Sequence, residues 1–287
     1  MEHHFIPTNG IRLHVVQAGP VDGPLVILLH GFPEFWYGWR RQITVLAEAG
    51  YRVWAPDQRG YNLSDKPEGV GAYQTDTLVA DILGLITASG RQKVFLVGHD
   101  WGAIVAWRLA ARHPERLHKL VILNVPHWRV MKQFVLRQPR QLVRSWYIIF
   151  FQLPWIPETL VKWRNYRLMV QALLGTSRPG TFRRDDLKQY KQAWGQPNAF
   201  RSMINWYRAA VRKPPTERIK PTIQVPTLIL WGKQDRFLMA EMARQSLAYC
   251  AEGELVYVEE ATHWLQHEEA ARVNTALIDF FARFGPL

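Results

Sequence analysis

Asp100 stands between two glycines in the stretch Gly98-His99-Asp100-Trp101-Gly102. A short apolar run, Val94–Val97, precedes it, and Ile104, Val105, Leu109 and Ala110 follow at helical spacing. Strand, tight turn and helix in that order make the context of a nucleophile elbow. The glycines are needed because a side chain at either position would collide with the strand or the helix. The central residue is then pushed out at the carboxyl end of the strand, beside a helix N-terminus whose backbone N–H groups favour negative charge. An elbow usually carries serine. A carboxylate there needs no base to deprotonate it and can attack carbon directly, forming an ester. It is a poor nucleophile toward carbonyls and an adequate one toward strained or leaving-group-bearing sp3 carbon. Taken alone, Asp100 would serve equally well as a helix cap, so the other strand ends decide.

Two of them carry suitable partners. Leu228–Trp231 leads into Gly232-Lys233-Gln234-Asp235, and Val256–Val258 leads into Glu259-Glu260-Ala261-Thr262-His263. With Asp100 this gives the chain order nucleophile, acid, base. His263 is the expected general base, and Asp235 the carboxylate that fixes its tautomer and stabilises the imidazolium. The preceding strand ends in Asn124-Val125-Pro126, without a carboxylate, which leaves Asp235 as the acid. His263 and His267 have the i,i+4 spacing of metal ligands, but no third ligand or H-E-x-x-H pattern accompanies them. No metal and no cofactor are expected. His30-Gly31-Phe32-Pro33 occupies the loop that supplies half of an oxyanion hole, with the backbone N–H groups of Phe32 and Trp101 as its donors.

These positions require strands whose ends converge. Residues 5–17 read as a hairpin turning at Asn9-Gly10. Leu25–Leu29, Tyr51–Ala55, Val94–Val97 and Leu120–Leu123 read as strands, with helices over Trp39–Ala49 and Thr75–Ser89 between them. Strands alternating with helices imply an α/β fold, with a mostly parallel central sheet and helices on both faces. From Val125 to Lys220 no strand pattern is evident, and the segment is helical, aromatic and basic. Strand character returns at Thr227–Trp231 and Leu255–Val258, and Ala270–Arg283 closes the chain as a helix. The expected organisation is a core in two parts, 1–125 and 221–287, interrupted by a helical lid at 126–220. In open α/β sheets ligands bind at the carboxyl ends of the strands, so such a lid would cover the site.

Composition narrows the class further. The chain has 287 residues, 48% of them hydrophobic, enough for a sizeable core. It contains no apolar run of about 18 residues, so no integral membrane segment is expected. Met1-Glu2-His3-His4 does not open a signal peptide. The single Cys250 excludes an internal disulfide and fits a reducing, cytoplasmic setting. The net charge of +12 is uneven: 125–221 holds 19 Lys and Arg against Glu158, Asp185, Asp186 and Glu217, which is +15, leaving −3 for the remainder. No nucleic-acid motif accompanies this block, which reads as a solvated basic face rather than a nucleic-acid site.

Over nearly its whole length the sequence resembles the soluble epoxide hydrolases of the α/β-hydrolase superfamily. The resemblance rests on HGFPEFWYGWR at His30–Arg40, RGYNLSDKP at Arg59–Pro67, GHDWG at Gly98–Gly102, GKQD ending at Asp235 and ATHW around His263. It implies the α/β-hydrolase fold and an aspartate nucleophile. Haloalkane dehalogenases share that nucleophile; in many of them an amide side chain holds the halide at the position of Phe32. The lid favours the epoxide branch. YIIFFQLPWIPE at Tyr147–Glu158 and INWYR at Ile204–Arg208 resemble the segments carrying two oxirane-binding tyrosines, which map onto Tyr147 and Tyr207. Two phenols suit that chemistry, since they can polarise the ring oxygen and protonate the alkoxide that ring opening leaves. Where the family usually has a small residue after its proline, Pro154 is followed by Trp155. Trp101, Phe150, Phe151 and Trp155 are the expected substrate-binding wall, apolar and therefore suited to a lipophilic epoxide as the small-molecule partner. A dehalogenase and a non-catalytic ligand-binding relative remain the alternative readings, and monomer and homodimer both remain open.

Overall fold

The computed structural model describes residues 1–214 and 220–283; residues 215–219, with Glu217 of the basic block, and 284–287 lie outside the described residues. Eight strands form one sheet: β1 (Glu2–Thr8), β2 (Ile11–Ala18), β3 (Leu25–Leu29), β4 (Arg52–Pro56), β5 (Val94–His99), β6 (Leu117–Leu123), β7 (Thr227–Gly232) and β8 (Gly253–Val258). Their spatial order is β1-β2-β4-β3-β5-β6-β7-β8. The hairpin β1–β2 and the β2–β4 pair are antiparallel, and every other pair is parallel. Two strands begin earlier than their apolar runs suggest. β1 starts at Glu2 because its pairing with β2 runs back to Gln17, and β6 starts at Leu117, opposite Val94, with a register shift before Phe95.

Three helices lie between the first six strands: α1 (Arg40–Glu48), α2 (Thr75–Ala88) and α3 (Trp101–Arg112). Seven more separate β6 from β7: α4 (Trp128–Arg137), α5 (Pro139–Arg144), α6 (Trp146–Phe150), α7 (Ile156–Lys162), α8 (Arg167–Thr176), α9 (Arg184–Trp194) and α10 (Ala199–Arg212). Among the described residues of this insertion there is no strand. The last three helices are α11 (Glu241–Leu247), α12 (Leu265–Glu268) and α13 (Ala270–Ala282). No helix among the described residues is long and apolar enough to cross a membrane.

The two-residue period of the strands divides the core into two layers. Val26, Leu28, Phe95, Val97, Val121 and Leu123 face α1 and α13, meeting Ile43, Leu46, Leu277 and Phe281. Ile27, Leu29, Leu96, Leu120 and Ile122 face the opposite way, onto α2 and α3. Strands buried on both faces read as unbroken apolar runs, which is why LVILL and VFLV carry no polar alternation. Each such Leu, Ile or Val contributes about 1.5–3 kcal/mol relative to an exposed side chain. The insertion joins the second layer through Met203, Ile204 and Trp206 of α10.

A buried ion pair fastens these parts together. Arg59, in the loop after β4, donates from Nε to Asp81 Oδ2 at 2.7 Å and from a terminal nitrogen to Oδ1 at 2.6 Å. Asp81 lies on α2 and also accepts from Asn9 Nδ2 of the hairpin turn at 2.9 Å. The carbonyl of Arg59 accepts from the Trp206 indole of α10 at 3.0 Å. The Asp81 carboxylate therefore ties hairpin, helix and loop, and the carbonyl of the Arg59 it holds ties in the insertion. Asp81→Ala would leave a buried guanidinium unpaired and is expected to cost about 3–5 kcal/mol, whereas replacing both partners with apolar residues of similar volume should cost much less. Urea denaturation of the single and double variants checks this.

Candidate active site

Asp100 occupies the turn between β5 and α3 with φ 49° and ψ −123°, a backbone conformation that costs a non-glycine residue about 1–3 kcal/mol. Its neighbours make the turn possible. A Cβ on Gly102 would lie 2.2 Å from the Leu29 carbonyl oxygen, and one on Gly98 would lie 2.6 Å from that of Gly102. Gly31 allows the third approach, since a Cβ there would fall 2.3 Å from the Asp100 Cβ. The result brings the loop after β3 against the carboxylate, and the Phe32 N–H donates to Asp100 Oδ1 at 2.7 Å. Trp101 is the first residue of α3, so its N–H is among those without a carbonyl partner inside the helix.

His263 follows β8 and faces Asp100, with Nε2 3.5 Å from Oδ2. Its Nδ1 lies 2.7 Å from Asp235 Oδ2. Asp235 is positioned from several sides. Its Oδ1 accepts the N–H groups of Phe237 and Leu238 at 2.7 and 3.0 Å, and its Oδ2 also accepts from Asn124 Nδ2 at 2.6 Å. The loop carrying His263 is folded back by Glu268, which accepts from the Thr262 N–H and hydroxyl at 2.7 and 2.8 Å. Burial opposes charge on His263, but Asp235 and Asp100 outweigh it and raise its pKa to about 10. Burial likewise opposes charge on Asp100, and the bond and charge of His263 hold its carboxyl below the usual range. His263 thus sits between Asp100 and Asp235, which favour its protonated form.

Tyr147 of α6 and Tyr207 of α10 meet with ring centroids 5.9 Å apart. The Tyr207 ring stands edge-on to Trp101 at 4.9 Å and to Phe32 at 5.3 Å. Phe237 links Tyr147, at 5.8 Å, to His263, at 5.2 Å. Burial, and then the charge of Asp100, push both phenols above their ordinary pKa, so they stay protonated at neutral pH. Phe151 packs on Tyr207 at 4.9 Å and on Phe32 at 5.4 Å, and Phe150 stacks on Phe151 at 5.8 Å.

The structure thus brings together Asp100, Asp235, His263, Tyr147, Tyr207, Phe32, Trp101 and Phe151, with Phe150 behind them. It does not bring Trp155 there. That side chain is 76% exposed, because the backbone turns through a left-handed conformation (φ 59°) into α7 and swings the indole outward. His267 points away from His263 as a metal partner would not, placing Nε2 2.6 Å from Glu34 Oε1.

Sequence reasoning missed two supports. Asn124, passed over for lacking a carboxylate, bonds Asp235 and also accepts the Gly232 N–H at 2.9 Å. Glu34 is the centre of the other. It accepts from Tyr190 of α9 at 2.6 Å and from Gln266 at 2.9 Å, and lies 3.4 Å from His99. His99 in turn reaches the His263 carbonyl through Nε2 at 2.8 Å. Burial works against a charge on Glu34, yet His267 and His99 hold its carboxyl well below the usual range. Several polar residues in otherwise apolar surroundings were the available signal; their partners lie too far away in sequence for spacing to reveal.

With this geometry in hand, comparison with known proteins gives a consistent answer. Residues 24–270 match the alpha/beta hydrolase fold family. The chain is 50% identical to the AB hydrolase superfamily protein YfhM of Bacillus subtilis over 96% of each chain. It is 38% identical to Epoxide hydrolase 4 of Homo sapiens, covering 96% of this chain and 77% of that one. A crystal structure of Bacillus megaterium epoxide hydrolase in complex with an inhibitor superposes with a TM-score of 0.86 at 29% identity, covering 97% of this chain and 99% of that one. The chain belongs to the α/β-hydrolase fold family and, within it, to the epoxide hydrolases.

The histidine's shift has a measurable consequence. Its folded pKa of about 10 lies above the ordinary 6.5. The stabilisation it supplies is therefore complete below the lower value and is lost as pH rises through the upper one. The gap in urea-unfolding free energy between the wild type and His263→Gln is expected to be widest just below pH 6.5 and to narrow steadily as pH rises toward about 10.

Proposed function

We propose that the protein converts lipophilic epoxides and water into vicinal diols through an ester on Asp100. The observation that carries this reading is the pair of phenols, Tyr147 and Tyr207, packed edge to face at 5.9 Å and both close enough to Asp100 to feel its charge. An epoxide needs both at once, a nucleophile for carbon and acids for oxygen. The absence of an amide at Phe32, whose ring packs on Tyr207, speaks against halide as the leaving group.

In this mechanism an oxygen of Asp100 attacks a ring carbon while the C–O bond breaks. The departing alkoxide takes a proton from a tyrosine. Esterification removes the charge that had helped to hold the proton on His263, so the imidazolium loses that support and returns a proton to the phenolate. Neutral His263, oriented by Asp235, then takes a proton from water, whose oxygen attacks the ester carbonyl carbon. The oxyanion is met by the backbone N–H groups of Phe32 and Trp101. Collapse breaks the ester C–O bond, and the proton left on the attacking oxygen passes to the departing alkoxide; this releases the diol and restores the Asp100 carboxylate, with His263 already an imidazolium. The helical insertion acts as the lid that supplies the phenols and, through Phe150 and Phe151, an apolar wall beside them.

Two experiments test this cycle. His263→Gln should still form the ester and fail to hydrolyse it, so intact-protein mass spectrometry after mixing with styrene oxide should find one added substrate mass on the peptide containing Asp100. An unmodified His263→Gln protein together with a fully active Asp100→Ala protein would overturn the assignment. Tyr147→Phe and Tyr207→Phe should each slow ring opening by about one to three powers of ten. The double variant should be folded and nearly inactive, with losses that are not additive because the phenols share one oxygen. Ring opening by the double variant at the wild-type rate would refute the role given to the pair.

A further inference from the structure

The outward face of the insertion is apolar to an unusual degree. Of the 17 large hydrophobic side chains exposed among the described residues, 11 fall between Leu136 and Leu168. They include three tryptophans, Trp146, Trp155 and Trp163, at 64%, 76% and 52% exposure, and Ile149 at 67%. Isolated surface hydrophobics need no explanation, but such a concentration marks an interaction surface. These side chains are strung along α4 to α8, a succession of short helices in which α4 packs on α5, α5 on α6, and α7 on α8. α6 has two sides: Tyr147 turns toward the site while Trp146 and Ile149 turn to solvent.

Charge identifies what would cover this face. Lys132, Arg137, Arg140, Lys162, Arg164 and Arg167 lie exposed along the same helices, and none has an ion-pair partner among the described residues. Glu158 is the only acid from 129 to 168, and Arg208 engages it at 2.7 Å. A second copy of the same face would bring these positive charges against one another. Tryptophan and branched aliphatic side chains interleaved with unpaired Lys and Arg instead match an interface of acyl chains beneath anionic headgroups.

We propose that the outer face of the insertion, from α4 to α8, docks on bilayers containing anionic phospholipid. Indoles and aliphatic side chains enter the headgroup region while the basic side chains meet phosphates. Docking in this way places the helix that carries Tyr147 at the lipid surface, where lipophilic compounds are concentrated. The binding itself involves no turnover, so its outcome is independent of the catalytic reading.

The test is co-sedimentation of the full chain with sucrose-loaded vesicles of phosphatidylcholine, alone or with about 30 mol % phosphatidylglycerol. The wild type should bind the anionic vesicles about tenfold or more tightly than the neutral ones, and about 0.5 M NaCl should abolish most of the difference. Two double variants at exposed positions, Val143→Ser with Trp163→Ser and Arg137→Glu with Arg140→Glu, should each weaken anionic-vesicle binding about tenfold or more while retaining the wild-type circular dichroism spectrum. Absence of binding, or equal binding to both vesicle types, would overturn the proposal. So would sedimentation velocity showing a dimer that the Val143→Ser, Trp163→Ser variant dissociates, which would make the face a contact between copies of this chain.

Discussion

A carboxylate held charged inside a largely apolar crevice is the constraint from which the rest of the site follows. Removing an ion from water costs several kcal/mol even after the surroundings relax. Asp100 is kept ionised by one backbone N–H from Phe32 and by the nearby imidazolium of His263. Each of those needs its own support. The amide arrives because Gly31 has no Cβ to strike Asp100, and the imidazolium persists because Asp235 stands on its far side. Asp235 is anchored by two backbone amides and by Asn124. The parallel sheet makes this convergence possible, since β3, β5, β6, β7 and β8 lie side by side and end their chains at one edge.

The same arrangement ties resting state to reactivity. The charges of Asp235 and Asp100 favour the protonated form of His263 and raise its pKa to about 10. In the proposed cycle, consuming the charge of Asp100 weakens that hold on the proton. On that proposal the base becomes available only after the ester has formed and does not compete with Asp100 for the substrate beforehand. The phenols show the complementary effect: burial, together with the negative charge of Asp100, keeps Tyr147 and Tyr207 protonated.

Much of this is legible in the sequence itself. A tight turn between strand and helix constrains residues a few positions apart, so Gly98, Asp100 and Gly102 announce themselves locally. Strands buried on both faces leave continuous apolar runs, and the polar residues just beyond them, Asp235 and His263, stand out by contrast. The alternation of strands and helices likewise predicted the sheet. What could not be read depends on distance along the chain. Glu34 meets Tyr190 and His267 across 156 and 233 residues, and no spacing rule reaches so far. Trp155 failed for a local reason of another kind. Its neighbours are apolar, which suggested a pocket wall, but side-chain direction there is decided by a left-handed backbone turn that composition does not encode.

Glu34 also explains how the insertion is seated on the sheet domain. The Tyr190 hydroxyl of α9 donates to its Oε1, and the Trp194 indole of the same helix donates to the carbonyl of Pro33, the next residue back, at 2.7 Å. A little further along the same loop, Tyr37 and Arg40 hold Asp186 at the start of α9 at 3.0 and 2.9 Å. The loop gripped in this way is the one that gives Phe32 N–H to Asp100. Lifting α9 would strip a hydrogen bond from a fully buried carboxylate, a loss of the kind that costs more than a neutral bond is worth. The seating of the insertion and the geometry of the amide that reaches Asp100 therefore rest on the same short segment, Phe32 to Arg40.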